Sequence, residues 1–220
     1  MRAQHLIAPA LAAASLLLLS PGASAHPHVW VSVKATVLYA DGSIAGLQEA
    51  WTFDEFYTAQ AIEGLDKNGD GKYDREELAE LAKVNIDGLK EFDYFTYAKL
   101  AGADRKLKAP ENYWLEHTDK GILTLHFTVP LEQAAREDGE FSFSVYDPSF
   151  FIAFDLAEDS PVVLGKGAPT GCTAVVHEPA DDEAIDDTKK LNEAFSSALG
   201  DGSTVSLGAA KTVSVTCAKS

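Results

Sequence analysis

A run of twelve residues, Asp66 to Glu77, carries the clearest chemical pattern in this 220-residue chain. Oxygen-bearing side chains stand at alternate places in it, as Asp66, Asn68 and Asp70, and Gly71 follows them. Calcium in proteins takes about six to eight hard oxygen ligands, and this spacing is that of an EF-hand loop. The run therefore predicts a calcium-binding loop over residues 66–77.

The second half of the loop supplies the remaining expected ligands. Lys72 offers its backbone carbonyl, Asp74 is placed to bind through water, and Glu77 can close the shell with both carboxylate oxygens. Tyr73 occupies the hydrophobic position of such loops. Sensor hands usually work in pairs, and the sequence has no second loop of this kind, so a structural ion is favoured over a regulatory one. The alternative is an acidic turn between helices that binds no ion.

Two histidines near the amino terminus form a second candidate site. His26 and His28 are two residues apart, so both imidazoles lie on one face if a strand begins there. Imidazole is a good ligand for Zn²⁺, Ni²⁺ and Cu²⁺, and an α-amine on His26 would add a third nitrogen. Pro27 has no amide hydrogen, so its nitrogen cannot become a deprotonated square-planar ligand. The alternative is a solvated terminus that binds no metal.

The first 25 residues are typical of an export signal. Arg2 supplies a positive start, residues 6–19 are apolar, and Ala23 and Ala25 provide a small-residue cleavage site. Cleavage after Ala25 would expose the amine of His26 and release the mature protein into the periplasm. The apolar stretch is short for a membrane span, so we expect no membrane insertion after processing, and an uncleaved anchor helix is the alternative.

The charge balance of the chain argues against nucleic-acid partners. There are 34 Asp and Glu residues against 18 Lys and Arg, a formal net charge of −16. Phosphate backbones need a basic surface, whereas an acidic surface suits metal cations. The sequence also lacks HExxH, CxxC, GxSxG and phosphate-binding glycine motifs, so we predict no enzyme activity.

The two cysteines, Cys172 and Cys217, each alternate in phase with apolar neighbours of a predicted strand. In an oxidising compartment we expect them to form a disulfide. Closing a loop of about 45 residues would contribute ~4 kcal/mol in the chain-entropy model. Two buried free thiols are the alternative.

The elements that must position these residues are mostly strands. Apolar residues at every second place from Val29 to Val37 predict a strand, and the turn at Asp41 and Gly42 predicts a return towards Trp51. Three later segments, YFTYAKLAG, GILTLHFTVPL and FSFSVYDPSFFIAF, are rich in aromatic and β-branched residues. The predicted inward set of the middle segment is Leu123, Leu125, Phe127 and Val129.

Helical patterns flank the acidic loop, as an EF-hand requires. They cover residues 54–65 and 75–92, and a last helix is predicted at about 183–199. The apolar face of the second helix is predicted to comprise Leu78, Leu81, Leu89 and Phe92. Because strand patterns occur on both sides of the helices, we predict one α+β domain over residues 26–220. It is mainly antiparallel β, with the EF-hand inserted at about 54–92 and a C-terminal helix–strand unit.

Three segments resemble an uncharacterised family of exported bacterial proteins. They are HPHVWV, the run from WTFDEF to FDYFTY, and YDPSFFIAF. Members are often labelled as the periplasmic component of an ABC-type transport system and are associated with nickel, cobalt or zinc transport. The resemblance implies a periplasmic metal-handling role, with an inner-membrane metal transporter as a partner. His26 and His28 match the family's amino-terminal histidines, and Asp147 lies in its YDPSFF segment.

Four further side chains are candidates to complete the histidine site, namely His117, His126, His177 and Asp147. Strand alternation turns His126 and His177 away from the apolar face, and His117 lies just before the turn at Gly121, so all three are interpreted as surface histidines. The sequence thus favours a periplasmic metal-binding accessory protein of transition-metal transport or homeostasis, with calcium in loop 66–77. The alternative is a calcium-stabilised interaction module that has no transition-metal site.

Overall fold

A computed structural model of the chain describes residues 28–135, 139–149, 151–178 and 210–217. Within these ranges the backbone forms two β-sheets, two α-helices and one 3₁₀ segment. The helices are α1 (Glu55–Ala61) and α2 (Ala79–Leu89), and the 3₁₀ segment is Lys90–Phe95. The strands are β1 (Val29–Ala40), β2 (Ser43–Phe53), β3 (Thr96–Leu100), β4 (Ala103–Arg105), β5 (Glu111–His117), β6 (Leu123–Ala135), β7 (Phe141–Val145), β8 (Ile152–Leu156), β9 (Val162–Leu164), β10 (Cys172–His177) and β11 (Thr212–Cys217).

The first sheet is built on the β1–β2 hairpin that the alternation predicts. Asp41 and Gly42 have φ values of 49° and 74°, the left-handed pair that a tight hairpin turn requires. The strands of this first sheet follow the order β5-β6-β2-β1-β8, and β9 also pairs with β1. The alternate residues of β1 from Val29 to Val37 are all buried, as predicted.

The second sheet has the strand order β10-β11-β7-β3-β4 and shares one hydrophobic core with the first. The predicted inward set of β6 is buried, with none of the four more than 1% exposed. Trp51 packs edge-on against Phe127 of its own sheet and Phe154 of β8, with ring centroids 4.9 and 4.8 Å apart. Phe154 in turn lies 5.4 Å from Phe95, which precedes β3 of the second sheet. Aromatic packing therefore joins the two sheets, and the predicted mainly β, α+β class is confirmed.

The predicted disulfide is present between Cys172 and Cys217. The two residues are directly opposite in the antiparallel pairing of β10 and β11. Val213 and Val215 of β11 are buried, whereas most of β10 is exposed. The bridge thus fastens an exposed edge strand to a strand that is anchored in the core.

The second helix is shorter than predicted. It begins at Ala79 rather than residue 75 and ends at Leu89, because the 3₁₀ segment turns the chain away from the helix axis. Leu78 is fully buried, but the prediction for Phe92 was wrong, since that ring is 50% exposed and stacks on Phe95. Positive φ values at residues 93–95 reverse the direction of the chain and bury Tyr94 and Phe95 instead.

The pairing of β1 with β8 and β9 is parallel, in sheets whose other pairings are antiparallel within the described residues. Val29 pairs with Ile152, and Ala35 pairs with Val162. β4, β5 and β9 had no strand pattern in the sequence that predicted them. β4 and β9 have three residues each, and β5 lies at the edge of its sheet with little of the alternation that marks a half-buried strand.

Several sequence predictions fall outside the described residues. They are the export signal over residues 1–25, His26 and the helix at 183–199. Within the described part of the chain, no helix is long and apolar enough to cross a membrane.

Candidate metal centre

The acidic loop lies between α1 and α2, and polar contacts fix both helices. Asp54 caps α1 because its carboxylate accepts from the backbone N–H of Tyr57 at 2.8 Å. The same carboxylate accepts from the N–H of Trp30 at 2.8 Å, which ties α1 to the start of β1. At the other helix, the Tyr57 hydroxyl donates to the side-chain oxygen of Asn85 at 3.0 Å. The two helices are therefore joined to each other as well as to the sheet.

The first half of the loop turns its side-chain oxygens onto its own backbone. One oxygen of Asp66 accepts from Gly69 N at 2.7 Å, and the other accepts from Gly71 N at 2.9 Å. Asn68 accepts from the N–H of Asp70 at 2.8 Å. Gly69 and Gly71 have φ values of +73° and +76°, a conformation that glycine adopts without strain. These bonds draw the side chains of Asp66 and Asn68 towards the inside of the turn.

Glu77 connects the two ends of the loop. One carboxylate oxygen accepts from Lys67 N at 2.9 Å, and the other accepts from Asp74 N at 3.2 Å. Only 8% of Glu77 is exposed, although the loop before it is open to solvent. Asp74 accepts from the N–H groups of Glu76 and Glu77 at 2.8 and 2.9 Å, so it caps the turn that leads into α2. The closing residue predicted for a calcium shell thus reaches across the loop with both oxygens.

As placed, no three His, Cys, Asp or Glu side chains in the described ranges form a group that could hold a metal ion. In the loop, backbone N–H groups donate to carboxylate oxygens of Asp66, Asp74 and Glu77. An EF-hand shell also includes an amide oxygen and a backbone carbonyl, here those of Asn68 and Lys72. The residue types fit calcium, and a carboxylate oxygen that accepts one N–H still has a lone pair for an ion.

The outgoing half of the loop packs against β5, which sequence reasoning missed. Tyr73 contacts the ring of His117 with centroids 4.9 Å apart. The Arg75 guanidinium lies 3.9 Å from the centroid of the Trp114 ring, a cation–π arrangement. Trp114 in turn stacks on His126 at 4.0 Å, with the ring planes 10° apart. The sheet edge therefore supports the outgoing half of the loop.

The candidate histidines are each engaged separately. His126 Nε2 is 3.1 Å from a carboxylate oxygen of Glu116, and His177 Nε2 is 2.7 Å from Ser214 Oγ in the other sheet. His117 contacts Tyr73, as described above. The structure does not bring these residues together as one metal-ligand group within the described chain.

The carboxylate of Asp147 is buried and stabilises the turn that follows it, instead of facing solvent as a ligand open to a metal ion would. It is 4% exposed, and one oxygen accepts from both the N–H and the hydroxyl of Ser149, at 2.8 and 2.7 Å. The other oxygen accepts from Phe151 N and Ile152 N at 3.1 and 3.0 Å. The carbonyl of Phe151 accepts from His28 N at 2.9 Å, and the two rings lie 4.7 Å apart. Asp147 thus shapes the turn that holds His28.

Replacing Asp147 with Asn should lower stability by about 1–3 kcal/mol, because the amide keeps one acceptor oxygen and presents an NH₂ group to partly buried N–H donors. Thermal unfolding in a chelating buffer measures this loss without any metal. Asp159→Asn, at an exposed position of the same region, is the matched control and should change little. A chelator-independent loss identifies a structural carboxylate, whereas an unchanged melting temperature would contradict the role given to Asp147.

The fold and the site define a class of protein. It is a two-sheet α+β domain with an inserted helix–loop–helix that carries an acidic loop. The sequence profile of the family described as "Protein of unknown function (DUF1007)" matches residues 11–217, and the chain belongs to that family. An uncharacterized protein of Haemophilus influenzae is 28% identical over 174 residues, which cover 77% of this chain and 81% of that protein. An uncharacterized 15.5 kDa protein of Spirochaeta aurantia, from the trpE 3′ region, is 32% identical over 108 residues. That match covers 47% of this chain and 76% of the relative.

Proposed function

We propose that this protein is a periplasmic metal-binding accessory protein of transition-metal transport or homeostasis, with a structural calcium ion in loop 66–77. The observation that carries the calcium part is the position of Glu77. Its carboxylate spans the loop and contacts backbone groups near both ends, where an ion would need a bidentate ligand. Support of the loop by β5 favours a fixed ion over a moving sensor.

Calcium titration calorimetry of chelator-treated protein tests this site directly. We expect one calcium ion per chain, with a Kd of roughly 10⁻³ M or tighter, the range of extracellular-type sites. Magnesium should bind more weakly, because it requires a smaller octahedral shell and gives up its water reluctantly. No heat beyond dilution and no calcium-dependent rise in melting temperature would contradict the proposal.

The transition-metal part rests on the amino-terminal segment and on the family resemblance. His28 is exposed at the start of β1, and its backbone is fixed by Phe151 of the turn that Asp147 shapes. With His26 two residues earlier, this segment could present two imidazoles and a terminal amine at the end of a rigid sheet. An inner-membrane metal transporter is the partner that such a protein would serve. A calcium-stabilised interaction module without this second site is the alternative function.

A protein that begins at His26 should bind Zn²⁺, Ni²⁺ or Cu²⁺ roughly tenfold or more tightly than one extended by a single residue, because the extension removes the amine from chelating position. Affinity should also fall below about pH 6.5, where protons compete for the imidazoles. Titrations with each metal measure both effects.

The double substitution His26→Ala, His28→Ala should abolish this binding, and His177→Ala is the control histidine on the other sheet. Equal affinity of the wild-type and double-mutant proteins would leave the calcium-stabilised module as the better description. Equal affinity of the extended and unextended proteins would exclude the terminal amine as a ligand but not the two imidazoles.

A further inference from the structure

Glu49 is a buried acidic side chain that neither candidate metal site uses. It lies on the core face of β2, between Leu47 and Trp51, and is 0% exposed. Its register partners on the neighbouring strands are Ala35 and Phe127, which are both apolar. An ionised carboxylate in such a place is costly unless a cation or several donors accompany it.

The hydrogen bonds of Glu49 reach from the first sheet to the second. Trp51 Nε1 donates to one carboxylate oxygen at 2.6 Å. The other oxygen is 3.0 Å from the hydroxyl of Thr96, at the start of β3. The same hydroxyl is 2.9 Å from the backbone carbonyl of Tyr94. These four groups form one buried chain of contacts.

The number of hydrogens available along this chain of contacts indicates whether Glu49 is neutral or ionised. A threonine hydroxyl carries one hydrogen, and the carbonyl of Tyr94 can only accept. If Thr96 donates to that carbonyl, its oxygen can still accept a hydrogen bond, and only a protonated Glu49 can supply one. With an ionised Glu49, the single hydrogen of Thr96 would have to serve two acceptors. Every contact is satisfied only when Glu49 is a neutral acid.

The electrostatic environment agrees with this count. Burial raises the pKa of Glu49 to about 7, and the hydrogen bonds that Trp51 and Thr96 can donate to the ionised carboxylate offset only part of that rise. No charged side chain of the described elements contributes to this balance. Tyr94 joins the contact chain through its backbone carbonyl, and burial raises the pKa of its phenol above the usual value, so that side chain stays neutral over the same range.

We propose that Glu49 is held as a neutral carboxylic acid that donates to Thr96, and that its ionisation as the pH rises weakens the contact between the two sheets. The contact sits where α2 and the 3₁₀ segment lead into β3. Asp93, Tyr94 and Phe95 have φ values of 49°, 55° and 49°, a left-handed conformation that is strained for such residues. Once Glu49 is ionised, the single hydrogen of Thr96 serves either the carboxylate or the carbonyl of Tyr94, so one bond that holds this strained segment is lost. The protein therefore contains a pH-sensitive junction next to the helix–loop–helix.

The sign of the pH dependence follows from linkage. The folded state holds the proton of Glu49 more tightly than the unfolded state does. The stability that this proton contributes is therefore complete below about pH 4.5 and is lost as the pH rises through about 7. The equilibrium constant for unfolding should increase on the order of 50-fold from Glu49 alone between about pH 5 and about pH 8. Denaturant unfolding of the wild-type protein over this range measures the increase.

Glu49→Gln is the decisive variant, because glutamine can donate to Thr96 and accept from Trp51 but cannot ionise. This variant should lose most of the pH dependence of unfolding that we attribute to Glu49. Thr96→Val removes the acceptor of the Glu49 proton without changing the shape of the side chain much, whereas the control Thr96→Ser keeps the hydroxyl. We expect the valine variant to be destabilised most at acidic pH, and the serine variant to retain the wild-type pH dependence.

Carbon-13 NMR titration of the glutamate side-chain carboxyls in the wild-type protein gives a test that needs no variant. One resonance, absent in Glu49→Gln, should titrate near neutral pH, clearly above the exposed glutamates. An ordinary titration of that resonance near pH 4.5, or an unchanged pH slope of unfolding in Glu49→Gln, would overturn the proposal. If the glutamine variant does not fold, the position of the wild-type resonance decides alone.

Discussion

Glu77→Gln is expected to weaken calcium binding by roughly 10- to 100-fold and to remove most of the calcium-dependent rise in melting temperature. The substitution takes one negative charge and one bidentate ligand from the closing position of the loop. An ion that binds only the folded state at about 100 times its Kd stabilises by about 2.7 kcal/mol. For a protein of this size that corresponds to a shift on the order of 5 °C.

The experiment compares melting curves in chelator and in excess calcium. The glutamine side chain of this variant would still accept one of the backbone hydrogen bonds that Glu77 makes, so the metal-free variant should lose far less stability than the calcium-bound one. Glu76→Gln removes the same charge from an exposed neighbour and is the matched control, whose calcium shift should persist. Equal calcium shifts in the wild type and Glu77→Gln would show that Glu77 is not the closing ligand.

The double substitution Cys172→Ser, Cys217→Ser is expected to destabilise the protein by about 4 kcal/mol in the chain-entropy model, because the bridge closes a loop with a sequence separation of 45. The melting temperature should fall on the order of 10 °C. Most of β10 is exposed, so few buried apolar contacts compensate for the loss.

A reducing agent gives the matched comparison for the disulfide. Reductant should lower the melting temperature of the wild-type protein towards that of the serine variant and leave the variant itself unchanged. Limited proteolysis should then cut near β10 first, since this edge strand would be held only by its pairing with β11. A variant as stable as the oxidised wild type would contradict the role assigned to the bridge.

Sequence patterns predict the half-buried strands well, because one apolar face leaves a regular signal. β1 follows its alternation closely, and the apolar set predicted for β6 is buried, although Thr124 and Thr128 on its other face are buried too. The acidic loop lies between two helices as its motif requires. β5 escaped prediction because Trp114 and its neighbours stand at a sheet edge, where tertiary contacts with Arg75 and His126 replace burial on one face. Local sequence carries no record of such contacts.

The buried acid Glu49 and the parallel pairing of β1 could not be predicted, because both depend on contacts between segments that are far apart in the sequence. Glu49 sits in phase with Leu47 and Trp51, but an acidic residue in a strand normally predicts a solvent-facing position. Its partner Thr96 is 47 residues away and on the other sheet. Proton counting needs both groups in place, so no pattern along the chain could reveal it. The histidine site stays a prediction, because His26 lies outside the described residues.

The parallel pairing of β1 with β8 and β9 sets the order in which the chain can complete its fold. The β1–β2 hairpin can form as soon as its turn is made, but the other edge of β1 waits for residues 152–164. Until then β1 exposes unpaired backbone groups beside an apolar face, a combination that invites pairing with other chains. Pairings between distant segments also slow folding. During synthesis, β1 therefore needs protection from aggregation until β8 and β9 have been made.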